Sequence, residues 1–146
     1  VNAFATFLAV IAGLAGSVQV AVMARLGDRV GVFAALAWAT ILTALLAVGL
    51  LVVAKQSVGG IADAARQPVW LWTGAALSLL IVFTITYSGS RLGIVATVGI
   101  LIGGQLAMGA IIDRFGLFGV DRVALGWPRL LGIALLALGA ALALKR

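Results

Sequence analysis

The chain contains no cysteine, no histidine and no glutamate. Without cysteine there are no disulfides, thiolate metal sites or thiol nucleophiles. Without histidine there is no imidazole ligand and no imidazole base. Acidic residues are reduced to four aspartates, Asp28, Asp63, Asp113 and Asp121. Charged residues make up only 10% of the 146 positions. Soluble domains carry about 25% charge and about 45–50% apolar residues. Here the hydrophobic share is 64% and the mean hydropathy +1.28. Too little polar side chain is present to cover a water-facing surface, so the solvent that suits this chain is lipid. No nucleophile–base pair, phosphate loop or metal-ligand cluster stands out, so neither an enzyme nor a cofactor is expected. Gly13-Leu14-Ala15-Gly16 is not a nucleotide fingerprint, because no strand precedes it.

The net charge of +6 would suggest nucleic acid in a soluble protein. The basic residues instead stand singly between apolar blocks, as charge does at a membrane boundary, and no nucleic-acid partner is expected. The first apolar block is too long for a signal core and lacks a basic flank, so it is read as retained.

About 20 apolar residues cross a bilayer as a helix. Continuous apolar blocks exclude the alternating pattern of a membrane barrel. The expected fold is therefore an all-α integral membrane protein in a single domain over 1–146, with five spans near 3–23, 30–54, 69–87, 92–112 and 129–144. Arg25, Asp28 and Arg29 would close the first span, and Lys55 and Gln56 the second. Residues 57–68 read as a loop with room for one amphipathic turn. Ser88, Gly89, Ser90 and Arg91 read as a tight connection, and residues 113–128 as an interfacial segment. Trp70, Trp72 and Tyr87 fall where aromatic belts are expected. Lys145 and Arg146 can snorkel at the end of the last span. Gly99 with Gly103, Gly13 with Gly16, and Gly132 with Gly139 place small residues on shared helix faces. They suit helix packing within a subunit or between subunits.

Polar groups inside spans are costly and therefore informative. Ser17, Thr40, Thr43, Ser78, Thr84, Thr86 and Thr97 can each bond their own helix backbone. Gln19 and Gln105 cannot, because an amide has two donors and an acceptor to satisfy. They line a cavity or bond between helices. Trp38 lies deeper than a belt residue and offers either packing or an aromatic wall for a solute. Asp113 ends the fourth span, where a negative charge opposes the helix dipole. It is expected to be paired, with Arg114, Arg91 or Arg129, as a structural or gating ion pair.

Several stretches resemble the small YdcZ-like proteins of the drug/metabolite transporter superfamily. They are Gln19-Val20-Ala21-Val22-Met23-Ala24-Arg25-Leu26-Gly27, Arg91-Leu92-Gly93, Gly104-Gln105 and Ile112-Asp113-Arg114-Phe115-Gly116-Leu117-Phe118-Gly119, with Arg129, Gly132 and Gly139 near the end. The family usually has asparagine at the place of Met23, and paired glycines where Ala75 and Ala76 follow Gly74. The resemblance implies a five-helix half-transporter in the plasma (bacterial inner) membrane. Such a half pairs with a second copy or a sister chain into a ten-helix unit, and moves a small metabolite or drug-like solute by alternating access. Gln19, Trp38 and Gln105 would face the cavity. Small multidrug-resistance relatives exchange protons through a glutamate in helix 1. With no glutamate, that mechanism does not transfer. The alternatives are a non-transporting assembly or regulatory subunit and a small dual-topology channel.

Five spans put the termini on opposite faces. Lys55, Arg66, Arg114, Arg122 and Arg129 then fall on the N-terminal side. Arg25, Arg29, Arg91, Lys145 and Arg146 fall on the other. Orientation follows the side with the basic excess, and here neither side has one. A C-terminal reporter is therefore expected on both faces of the membrane, consistent with an antiparallel pair. Two added terminal lysines should bias it to one face. A reporter confined to one face in the unmodified chain would end the dual-topology reading.

Overall fold

The computed structural model describes residues 2–54, 59–124 and 126–143. Lys55, Gln56, Lys145 and Arg146 lie outside the described residues. The described chain is helical: α1 (Ala3–Val30), α2 (Val32–Val53), α3 (Gly59–Ala65), α4 (Thr73–Leu92), α5 (Ile94–Phe115) and α6 (Trp127–Ala143). Two 3₁₀ turns, Val69–Trp72 and Leu117–Gly119, lead into α4 and out of α5. α1, α2, the stretch Val69–Leu92 and α5 are each long and apolar enough to cross a membrane. α6 is apolar but shorter, at 17 residues.

Local chemistry explains where the helices start. The Asn2 side-chain oxygen accepts from the N–H groups of Phe4 and Ala5 at 3.1 and 3.4 Å, which satisfies two of the donors that a helix start leaves free. Pro68 opens the turn before α4, with its carbonyl accepting from Leu71 N–H at 2.9 Å. The Thr73 hydroxyl donates to the Trp70 carbonyl at 2.6 Å.

The helix ends differ from the sequence expectation. Arg25, Asp28 and Arg29 do not end α1, which runs on to Val30. Ser88, Gly89, Ser90 and Arg91 are not a loop but the last turns of α4. In both places the break is one residue, Gly31 between α1 and α2, and Gly93 between α4 and α5. Their torsions are φ 88°, ψ 148° and φ 87°, ψ 159°. That region of backbone space is essentially closed to any residue with a Cβ. Polar side chains near a helix end do not break a helix, whereas this conformation does, and only glycine adopts it.

The chain divides into two bodies. The first, Val22–Tyr87, holds the end of α1, α2, α3 and most of α4. Met23, Ala24 and Gly27 of α1, Ala35 and Leu36 of α2, and Ile85 and Thr86 of α4 are buried. Phe83 stacks on Tyr87 and meets Phe33 at a tilt, with ring centroids 6.0 and 5.7 Å apart. Such pairs contribute beyond their buried area. The second body, Val1–Ala21 with Ser88–Arg146, is built on α5 packed against α6. Gly99 near the start of α5 meets Ala140 near the end of α6, and Asp113 near the end of α5 meets Arg129 at the start of α6. The two helices are therefore antiparallel. Most large apolar side chains outside these contacts are exposed, including Phe4, Leu14, Leu46 and Leu50. In water this would be an aggregation surface; in lipid it is the ordinary exterior.

Gly27 is a close-approach position. A Cβ there would lie 2.8 Å from Cγ2 of Thr86, a side chain only 1% exposed. Gly27→Ala is expected to destabilise by about 1–3 kcal/mol through overpacking. Gly49→Ala, facing open space, should be neutral or gain up to about 1 kcal/mol of helix propensity. Thr86→Ser removes Cγ2 but keeps the hydroxyl, so the double variant should recover much of the loss. Thermal unfolding in detergent reads all three, and full additivity of the two substitutions would contradict the contact.

Candidate functional site

The site lies in the second body, between α5 and α6. Gln105, Gly109 and Asp113 follow one another at four-residue intervals, so they share one face of α5. Facing them on α6 are Arg129, Gly132, Ile133 and Leu136. Together with Leu106 and Ala110 these residues line a groove of about 260 Å³. A Cβ added at Gly109 or Gly132 would meet nothing within 4 Å. The missing side chains keep the groove open.

An ion pair closes one end. Arg129 Nη2 donates to Asp113 Oδ2 at 2.7 Å, with the two side chains 48% and 28% exposed. Of the three arginines considered from sequence, Arg129 is the partner. Arg114 lines a separate open depression with Phe115, Arg122 and Val123, and Arg91 lies in the last turn of α4. The pairing follows from the loop's path. Gly116 ends α5 in the left-handed conformation, its N–H donating to Ile112 O at 2.8 Å. Such a cap is typical of glycine. After the 3₁₀ turn the chain folds back, and Val123 N–H donates to the Asp113 carbonyl at 2.9 Å. Asp113 is thus held through both its backbone and its carboxylate, and α6 begins beside it.

Gln105 lies eight residues before Asp113, about 12 Å along the helix. Its side chain is exposed to the groove, and no hydrogen bond to its amide occurs among the described residues. Its surroundings are apolar: Leu106, Ala110, Ile133 and Leu136. The groove therefore grades from an ionic end to an apolar channel containing one uncommitted amide.

The other sequence candidates fall elsewhere. Gln19 is exposed on α1 and does not line this groove. Trp38, on α2 in the first body, is 60% exposed. Most of the hydroxyls bond their own helix: Thr40 to Leu36 O, Thr84 to Leu80 O and Thr86 to Val82 O, at 2.7–2.8 Å, and Ser17 to Gly13 O at 3.5 Å. Thr97 differs, since its buried hydroxyl has no partner among the described residues. Of the glycines expected to pack helices, Gly99 does so, with a would-be Cβ 3.3 Å from Ala140 Cβ. Gly13, Gly16, Gly103, Gly132 and Gly139 meet nothing within 4 Å. Sequence reasoning missed Gly109 as a groove former. The signal was present in the four-residue spacing from Gln105 through Gly109 to Asp113.

Helices of this length and apolarity define an integral membrane protein. Residues 4–142 match a family described as "Putative inner membrane exporter, YdcZ", and the chain belongs to that family. The resemblance read from the blocks at 19–27 and 104–119 is thereby confirmed. The protein is an inner-membrane protein, and its family is described as one of exporters, not of enzymes. No curated protein and no solved structure matches the chain.

The ion pair gives a direct test. Partly exposed pairs contribute about 0–1 kcal/mol, so Asp113→Asn and Arg129→Gln should each cost little. Their double-mutant cycle in detergent should show a coupling of about 0.5–1 kcal/mol. A coupling of zero would mean that the backbone bond from Val123, not the ion pair, holds the loop.

Proposed function

We propose that the protein is one subunit of a secondary exporter. Five helices cross the membrane, α6 being the short fifth, and two copies or a copy and a sister chain form the working ten-helix unit. That unit moves a small metabolite or drug-like solute by alternating access. Within each subunit the solute meets the α5–α6 groove, where Gln105 supplies hydrogen bonds and the Asp113–Arg129 pair marks the polar end. Gln19 and Trp38 are further contacts in the assembled cavity.

The observation that carries this reading is the Gln105 amide, unpartnered among the described residues in the apolar part of the groove. An amide that faces hydrocarbon without partners costs several kcal/mol on an alkane scale, on the order of 4–8. A solute or water that bonds it removes that cost, whereas a helix-packing role would require a protein partner. The absence of glutamate, and of any carboxylate deep in a span, favours facilitated transport or coupling to something other than a buried carboxylate proton switch.

The experiment is reconstitution. Liposomes are loaded with a uniformly ¹³C-labelled metabolite extract or with ethidium, and release is followed by mass spectrometry or fluorescence. A carrier shows saturable, counterflow-competent release. A channel shows conductance, and an assembly subunit shows neither. Gln105→Leu is expected to fold normally, since an apolar replacement removes the desolvation cost together with the bond. Its release should nevertheless fall at least about tenfold, the equivalent of about 1.4 kcal/mol. Full release by Gln105→Leu would reduce Gln105 to a packing residue.

A further inference from the structure

The single-residue links at Gly31 and Gly93 sit inside a longer correspondence. Gly27-Asp28-Arg29-Val30-Gly31-Val32 recurs 62 positions later as Gly89-Ser90-Arg91-Leu92-Gly93-Ile94. Both segments read glycine, any residue, arginine, aliphatic, glycine, aliphatic, and Ala34 matches Ala96 beyond them. The structure adds three agreements. The two link glycines share one conformation, with φ of 88° and 87° and ψ of 148° and 159°. The helices that follow, α2 and α5, are each 22 residues long. Burial before the link keeps the same register: Val20, Met23, Ala24 and Gly27 are buried, and Val82 (half-buried), Ile85, Thr86 and Gly89 stand at the same distances from the second link.

A helix break needs one glycine. It does not require an arginine two residues before it, a buried glycine four before it, or equal helices after it. Each of these is a separate constraint, and both segments meet all of them. We infer that α1–α2 and α4–α5 are two copies of one helix–glycine–helix element, and that Gly31 and Gly93 are its matched hinges. The described chain is then two copies of this element joined through α3, with α6 as the unrepeated helix.

The hinge role follows from the torsions. Hinges are a few element-terminal residues that absorb large φ/ψ changes. A glycine has roughly equal access to both signs of φ, so it can pass between conformations that confine other residues. Its carbonyl already starts the next helix, from Ala35 N–H to Gly31 O at 3.0 Å and from Thr97 N–H to Gly93 O at 3.1 Å. Each following helix can therefore pivot on its glycine without losing its first hydrogen bond. The role of these glycines in export rests on the transport reading above, whereas the repeat does not.

The chain lacks cysteine, so cysteine-directed spin labels have no background. Leu14 with Leu46, and Ala76 with Met108, occupy equivalent positions in the two copies, and all four are exposed. Distance distributions from pulsed electron resonance in liposomes should coincide for the two pairs. Gly31→Ala should shift the first distribution by more than its own width and leave the second alone, and Gly93→Ala should do the reverse. Because these variants could misfold, a third makes the first link identical to the second: Asp28→Ser, Val30→Leu and Val32→Ile together. It should leave the first distribution unchanged. Two wild-type distributions with different centres, or a shift on making the links identical, would overturn the repeat. Monodisperse alanine variants that shift neither distribution would overturn the hinges. A negative flux experiment changes none of these distances, so the two readings fail separately.

Discussion

Hydrocarbon offers no hydrogen bonds, so every backbone N–H and C=O inside the membrane must be satisfied by the chain itself. Most of the architecture follows from this constraint. Within a span the helix meets it without help. At a turn it becomes difficult, and two of the turns are accordingly reduced to one residue. Gly31 donates its N–H to Gly27 O and accepts from Ala35 N–H, so its main-chain donor and acceptor are both paired although it belongs to neither helix. The buried hydroxyl of Thr86 obeys the same constraint by bonding back to Val82 O.

Two of the polar groups that the chain does not satisfy internally lie on α5. The Thr97 hydroxyl and the Gln105 amide both lack partners among the described residues, and both belong to α5. Asp113, in the last turns of the same helix, needs a cation and takes it from α6. Of the two, the Thr97 hydroxyl is buried and the Gln105 amide faces the groove. The stretch 116–123 serves this helix, with Gly116 and Val123 returning the chain to Asp113 before α6 begins.

Glycine has opposite uses in this chain. At Gly27 and Gly99 its missing side chain lets another residue come close, to Thr86 and to Ala140. At Gly109 and Gly132 the missing side chain leaves a void, and the groove exists because nothing fills it. A small-residue motif cannot tell these uses apart. Both read as a residue that permits closeness, and only the neighbour's position shows whether the closeness is used.

Composition alone determined the solvent and the absence of imidazole and thiol chemistry, because each follows from residue types present or missing whatever their arrangement, and the continuity of the apolar blocks determined the helical class. The order of the long apolar helices was also legible, since a helix that must span hydrocarbon announces itself by length. The family could be read from short blocks because they are contiguous. The helix ends could not, since polar residues such as Arg29 and Ser90 look like boundaries while the break depends on a backbone conformation one or two residues further on. Nor could the partner of Asp113. Three arginines were equally plausible in one dimension, and the choice of Arg129 depended on how the loop after Gly116 returns. The groove was the least legible feature, because it is made by what residues 105–113 of one helix and 129–136 of the next fail to fill. The sequence by itself determined which residues must leave water and which cannot be satisfied alone; the tertiary structure decided which of them meet, because that depends on the direction in which each loop sends the next helix.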